Sequence, residues 1–196
     1  GNITGLTIST PGFTGKRLEL LKETVPRATR VVIIGQEGNA AHAVESDESK
    51  LTQAAASALG LQLHLVWVRT PNDFENAFSK ITKTFHASAI LLQSAPVFLD
   101  NRKQIADLAI KHRLAANYDA KELPEAGLLM SYGTDRFELG RRAATYVDKI
   151  LKGRKTTDLP VEQPMRFELV FNLITAKQIG VTIPPNVLVR ADKVIR

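Results

Sequence analysis

Five short apolar runs, each separated from the next by a stretch of helical periodicity, constrain this chain more than any other feature. The runs are Arg30–Gly35, Leu61–Val68, Ala87–Gln93, Leu114–Tyr118 and Gly127–Ser131. Runs this short and mostly apolar suit strands buried on both faces. The segments between them are too long for hairpins and carry helix signals. From Asp47 to Leu59, residues Leu51, Ala55, Ala58 and Leu59 share one face and Gly60 is the stop. Thr70-Pro71-Asn72-Asp73 opens a second helix, with polar caps and proline near its first turn. Behind it, Phe74, Ala77, Phe78, Ile81 and Phe85 form a helical stripe. A third helix is expected from about Leu99 to Arg113, with Ile105, Leu108, Ala109 and His112 inward. The last, about Asp135–Leu151, should set Gly140, Ala143, Ala144, Val147, Ile150 and Leu151 against the sheet. Strands joined by helices predict an α/β fold: a flavodoxin-like parallel five-stranded sheet with helices on both faces. Ligand chemistry then belongs at the carboxyl ends of the strands.

Composition narrows the function. With 196 residues, 44% of them hydrophobic, the chain can bury a real core. No apolar run approaches the ~18 residues of a membrane span, and the first residues do not read as a signal peptide. Zero cysteines exclude disulfides and thiolate chemistry. The net charge of +6 invites a nucleic-acid partner. The basic residues argue against one: Arg141, Arg142, Lys149, Lys152, Arg154 and Lys155 sit on and after one helix, with no aromatics interleaved to stack bases. They read as a solvated face.

Nothing marks an enzyme, and no cofactor or metal is expected. The histidines at 42, 64, 86 and 112 have no ligand spacing, and neither a nucleophile elbow nor a phosphate loop occurs. Gly35-Gln-Glu-Gly38 departs from the dinucleotide spacing and carries an acid, so it reads first as a flexible turn and second as a phosphate loop. What converges at the expected carboxyl edge is a set of short polar groups. Gln36 and Asn39 follow the first strand; Gln93, Ser94, Ala95 and Pro96 follow the third; Tyr118 and Asp119 end the fourth. One carboxylate, one aromatic ring and neutral hydrogen-bonding groups suit a small zwitterion. Asp119 would meet an ammonium, the helix after Pro96 a carboxylate, and Tyr118 would stack or hydrogen-bond. From the residues alone they read equally as ordinary loop positions.

The ends divide the chain. Residues 1–15 read as a crossover entering a lobe, 16–153 as the α/β ligand-binding lobe, and 154–196 as an exit crossover plus a strand–helix tail. In the tail Phe167, Leu169 and Phe171 alternate with polar or smaller residues, a strand pattern. Three segments carry a family likeness: Asn2-Ile-Thr-Gly-Leu-Thr7, the stretch from Glu125 to Pro164, and Phe167-Glu-Leu-Val-Phe-Asn172. In the same order they resemble the substrate-binding proteins of bacterial ABC importers, the family that includes tryptophan and tyrosine binders. The resemblance spans the chain but only the later part of such a protein.

It implies one lobe of a type I periplasmic binding protein that captures a small solute, an amino acid with an aromatic one favoured. It also implies an ABC permease partner in the membrane and a periplasmic or otherwise extracytoplasmic location. Gln36, Asn39, Ser94, Ala95, Tyr118 and Asp119 become ligand contacts, with Thr7 and Ser9 on the entering crossover. The loop Gly35-Gln-Glu-Gly-Asn-Ala40 departs from the Asn-Pro-rich loop of that family. A single lobe supplies part of a clamp, so weak binding is expected. A tail belonging to the other lobe would expose the Phe167–Phe171 strand and favour self-association through it. The alternative function is a flavodoxin-like nucleotide- or flavin-binding sensor or enzyme domain.

Overall fold

The computed structural model describes residues 2–8, 10–38 and 46–196. The five apolar runs form β1 (Arg30–Gln36), β2 (Gln62–Val68), β3 (Ala89–Leu92), β4 (Ala115–Tyr118) and β5 (Met130–Thr134). These lie in one sheet, in parallel and in the order β2-β1-β3-β4-β5. Two more strands continue it, making seven. β6 (Phe167–Asn172) pairs antiparallel with β5, and β7 (Lys193–Ile195) pairs parallel with β6.

Alternation along each strand sorts the core into two layers. Val32, Ile34, Ile90, Leu92, Ala116 and Tyr118 face α3 (Phe74–Lys83), α4 (Pro96–Asp100), α5 (Arg102–Lys111) and α6 (Glu122–Glu125). Val31, Ile33, Ala89, Leu91, Ala115 and Phe171 face α1 (Phe13–Thr24), α2 (Asp47–Ala58), α8 (Leu173–Ile179) and α9 (Pro185–Leu188). Side-chain caps fix where the helices begin. Ser46 Oγ accepts from Ser49 N, 3.2 Å, and Asn172 Oδ1 from Thr175 N, 3.0 Å. Thr70 and Asp73 form a capping box ahead of α3.

Four expectations need correction. The Phe167–Phe171 strand has neighbours on both sides, so it offers no free edge for self-association. Its alternating face joins the α1 layer, with Phe171 fully buried. The helix expected from 99 to 113 breaks at Asn101 into α4 and α5. On α2 the inward residues are Thr52 and Ala56, while Leu51 is exposed. The close α1–α2 packing explains that rotation: a Cβ added at Gly15 would sit 3.1 Å from that of Ala55.

The fourth concerns α7 (Arg136–Leu151), whose one buried residue is Tyr146. It does not lie on the sheet. It rests on two connectors, 2–8 and 159–165, that run side by side through a parallel bridge between Leu6 and Glu162. Thr7 N donates to Glu162 O at 3.0 Å and Glu162 N to Gly5 O at 3.1 Å. Tyr146 Oη donates to Pro160 O at 2.7 Å, and Arg142 grips Glu162 with two bonds of 2.6 Å. The Arg142 fork, then Tyr146, pulls the Glu162 carboxyl from 4.5 down to about 2.

Two outcomes follow from this packing. Phe171→Ala should cost about 3–5 kcal/mol, the range for a buried aromatic, read as a fall in the denaturation midpoint. A cost near zero would place β6 outside the core. Glu162 has a depressed carboxyl value, so its tie to Arg142 is complete above pH 4.5 and is lost as pH falls through about 2. An NMR titration of its side-chain carbon should show the low midpoint, and Arg142→Ala should return it toward 4.5.

Candidate ligand-binding edge

The chain leaves β1 toward β2 on one side, while β3 flanks β1 on the other. This strand order opens a crevice at the carboxyl ends of β1 and β3, where parallel α/β sheets place ligands. Gly35 lies on its floor. A Cβ there would come within 2.3 Å of both Gln93 Oε1 and Trp67 Cζ3, so these two side chains cross β1 only because residue 35 is glycine. A small cavity of ≈ 40 Å³ adjoins them, bordered by Thr14, Ser46, Glu48 and Thr52. Glu48 turns away to cap α1, accepting from Gly12 N at 2.9 Å and Thr14 N at 3.0 Å. The helix end that would attract an anion is thus already neutralised, and Gly35 is covered rather than open to a phosphate.

Beside the crevice, a charge is buried. Arg17, on the inner face of α1, is 3% exposed. Its Nε donates to Asn117 Oδ1 at 3.1 Å, and Nη2 donates to the carbonyls of Leu92 at 2.8 Å and Asn117 at 3.1 Å. One guanidinium therefore ties α1 to the ends of β3 and β4. Burial lowers its proton affinity, and the negative charge of Asp119 opposes that shift. Asp119 is partly buried, and its Oδ1 has no hydrogen-bond partner among the described residues. The β4–α6 turn carrying it crosses β5 at Gly133, where a Cβ would lie 1.7 Å from Asp119 O. Around this turn stand Lys121, Ser131, Thr134 and Arg136. Toward the connectors, Phe13, Tyr132 and Phe167 stack with centroids 5.5–5.7 Å apart, and Arg17 lies over Phe13 at 5.9 Å.

The profile of the ABC transporter substrate binding protein family matches residues 1–195. The chain belongs to that family. Two solved structures share its fold at a TM-score of 0.82 and 24% identity. One is a conserved domain protein from Vibrio cholerae, covering 98% of this chain and 63% of its own. The other is an ABC domain in complex with L-Trp from Streptococcus pneumonia, covering 100% and 64%. A ligand-free, open substrate-binding protein with adhesive properties from Clostridium difficile follows at TM-score 0.73 and 18% identity, covering 98% and 62%. The chain thus spans less than two thirds of the length of each. No curated protein matches it by sequence.

For this substrate-binding family member, the edge gathers some of the expected residues and not others. Gln36, Ser94 and Asp119 stand at the ends of β1, β3 and β4, each partly buried. Thr7 sits on the entering connector. Asn39 and Ser9, with His42, lie outside the described residues. Tyr118 points into the core instead of out at the edge: it is 1% exposed in the α3–α5 layer and its hydroxyl donates to Ala95 O at 3.2 Å. Burial, then the charge of Asp119, pushes that hydroxyl up to about 12. Its register explains this, because Tyr118 follows Ala116 on the side opposite Asn117. Ala95 is likewise buried, holding the β3–α4 turn, and α4 is too short, at 5 residues, to offer a helix-end site. Sequence reading missed Arg17 and Asn117. The signal was there: an Asn in the apolar run Ala115–Tyr118 and an Arg among the inward leucines of α1.

Gly133→Ala tests the geometry that presents Asp119. No flexible side chain absorbs the clash, since the opposing atom is backbone. The variant should lose about 1–3 kcal/mol or more by overpacking, read by chemical denaturation. Gly140→Ala, with open space at its Cβ, should lose nothing.

Proposed function

We propose that this carboxyl edge is one face of a solute clamp, capturing a small molecule with an ammonium group for delivery to a membrane permease. One observation carries the reading. Among the described residues, four of the six buried side-chain atoms without a hydrogen-bond partner belong to segments of this edge: Thr10 Oγ1 before α1, Gln93 Oε1 after β3, and Asn117 Nδ2 and Asp119 Oδ1 at the end of β4. Each such group costs about 1–3 kcal/mol while unsatisfied, so a solute that supplies the missing bonds is favoured. Asp119 suits an ammonium, and Gln36 and Ser94 supply neutral polar contacts beside it. The Phe13–Tyr132–Phe167 stack favours a flat apolar side chain close by. An amino acid, aromatic by preference, fits both demands, and the relative from Streptococcus pneumonia holds L-Trp.

In this reading the paired connectors, 2–8 and 159–165, are the two crossovers of a hinge, and Thr7 lies where they meet the edge. Delivery to a permease places the chain outside the cytoplasmic membrane. Among the described residues no helix is long and apolar enough to cross one.

The test is an NMR titration of the ¹⁵N-labelled chain with L-Trp, L-Phe, L-Leu and indole-3-propionate, since a single lobe binds weakly. Saturable shifts should appear at Gln36, Ser94 and Asp119 with the aromatic amino acids and vanish with indole-3-propionate, which lacks the ammonium. Asp119→Asn should weaken binding about tenfold or more, the worth of a hydrogen bond to a charged group. No shift at this edge with any of the four, or equal affinity in the variant, would overturn the reading.

A further inference from the structure

Asp119 shares its recess with charges of the opposite sign. Lys121, Ser131, Thr134, Arg136 and Glu168 line it beside the carboxylate, and the path of the chain brings the two signs together. The turn that carries Asp119 crosses β5 at Gly133, where only a glycine lets the segments touch, and Arg136 follows three positions later. Opposite charges in one recess ordinarily pair. Here Asp119 Oδ1 has no hydrogen-bond partner among the described residues. Lys121 finds Glu168 at 3.1 Å and Arg166 lies 3.8 Å from Asp135, whereas Arg136 makes no ion pair among the described residues.

The other source of positive potential at this place is already used. Asp135 caps α7, accepting from the N–H groups of Phe137 and Glu138 at 3.0 Å each. The first turn of the helix therefore has its own carboxylate. An anion arriving at the recess meets the guanidinium of Arg136 instead of helix N–H groups. The charge of Arg136 also reaches the end of β4. The Tyr118 hydroxyl, raised by burial and then by Asp119, is drawn back in part by Arg136.

We propose that Arg136 takes the carboxylate of the solute while Asp119 takes its ammonium, so that the edge selects an amino acid over the amine that lacks the carboxylate. The assignment rests on the ammonium reading of Asp119 given above and adds the second pole. Two opposite charges that line one recess without neutralising each other are the mirror image of a zwitterion. The planar fork of a guanidinium can grip both carboxylate oxygens. Arg136 is exposed, so water competes for it. The selectivity is accordingly about tenfold, far short of the roughly 10⁴-fold of a site whose polar groups are fully buried.

NMR titrations with L-Trp and with tryptamine, which keeps the indole and the ammonium but lacks the carboxylate, separate the two poles. The unaltered chain should bind L-Trp about tenfold more tightly, and the Arg136 side-chain Nε–H signal should move with L-Trp only. Arg136→Gln should weaken L-Trp to the level of tryptamine and leave tryptamine no weaker. Its melting temperature should not change, because no ion pair is broken. Arg136→Lys should keep part of the preference, since a point charge remains without the fork. Arg141→Gln, which removes the same charge farther along α7, should preserve the preference in full. Equal affinity for the two ligands in the unaltered chain, or a preference that survives in Arg136→Gln, would overturn the subsite and leave the ammonium clamp standing. So would an equal loss in Arg141→Gln, which would mark a general effect of net charge. Shifts with neither ligand would remove the clamp, and the subsite with it.

Discussion

The guanidinium of Arg17 is the tie on which the rest of the carboxyl edge depends. It carries a charge into the interior and offsets the desolvation cost with three hydrogen bonds to β3 and β4 and with the nearby charge of Asp119. Parallel strands end in unsatisfied carbonyls, and here one side chain from the neighbouring helix satisfies two of them. The position of α1 is thereby coupled to the separation of β3 and β4, which flank the candidate site. Asn117 completes the arrangement, presenting its oxygen to Arg17 while its amide nitrogen has no hydrogen-bond partner among the described residues.

Two glycines make the surrounding geometry possible by lacking a side chain. At Gly35 the space is taken by Trp67 and Gln93, which brings an indole and an amide across the floor of the crevice. At Gly133 it is taken by the main chain of Asp119, which swings the carboxylate over β5. The helix end that would otherwise draw an anion is occupied by Glu48. In the proposed reading the edge then offers the Asp119 carboxylate beside the cations Lys121 and Arg136, a mixed charge that suits a zwitterionic solute.

A second region obeys different rules. α7 and the paired connectors are held to one another by the Leu6–Glu162 bridge, Tyr146 and the Arg142–Glu162 fork. The helix has the periodicity of a packed element, yet its apolar side faces away from the core. Periodicity reports that a face must be covered; it does not report by what. The expectation that Gly140, Ala144 and Val147 lie on the sheet failed for that reason.

The order of strands and helices, the parallel sheet and the position of its carboxyl edge were legible from the sequence, because burial on two faces leaves so plain a pattern in short apolar runs. Gln36, Ser94 and Asp119 could be placed at that edge because they directly follow such runs. The sequence did not determine that Tyr118 turns inward, which depends on a one-residue alternation at the end of β4. Nor did it show that Arg17 reaches Asn117 across 100 positions. The sheet also grew from five strands to seven, since β6 and β7 are placed by pairing with strands far away in sequence. Local patterns fix what each segment must bury. Only the tertiary structure decides against which partner, because those contacts join residues that no local pattern relates.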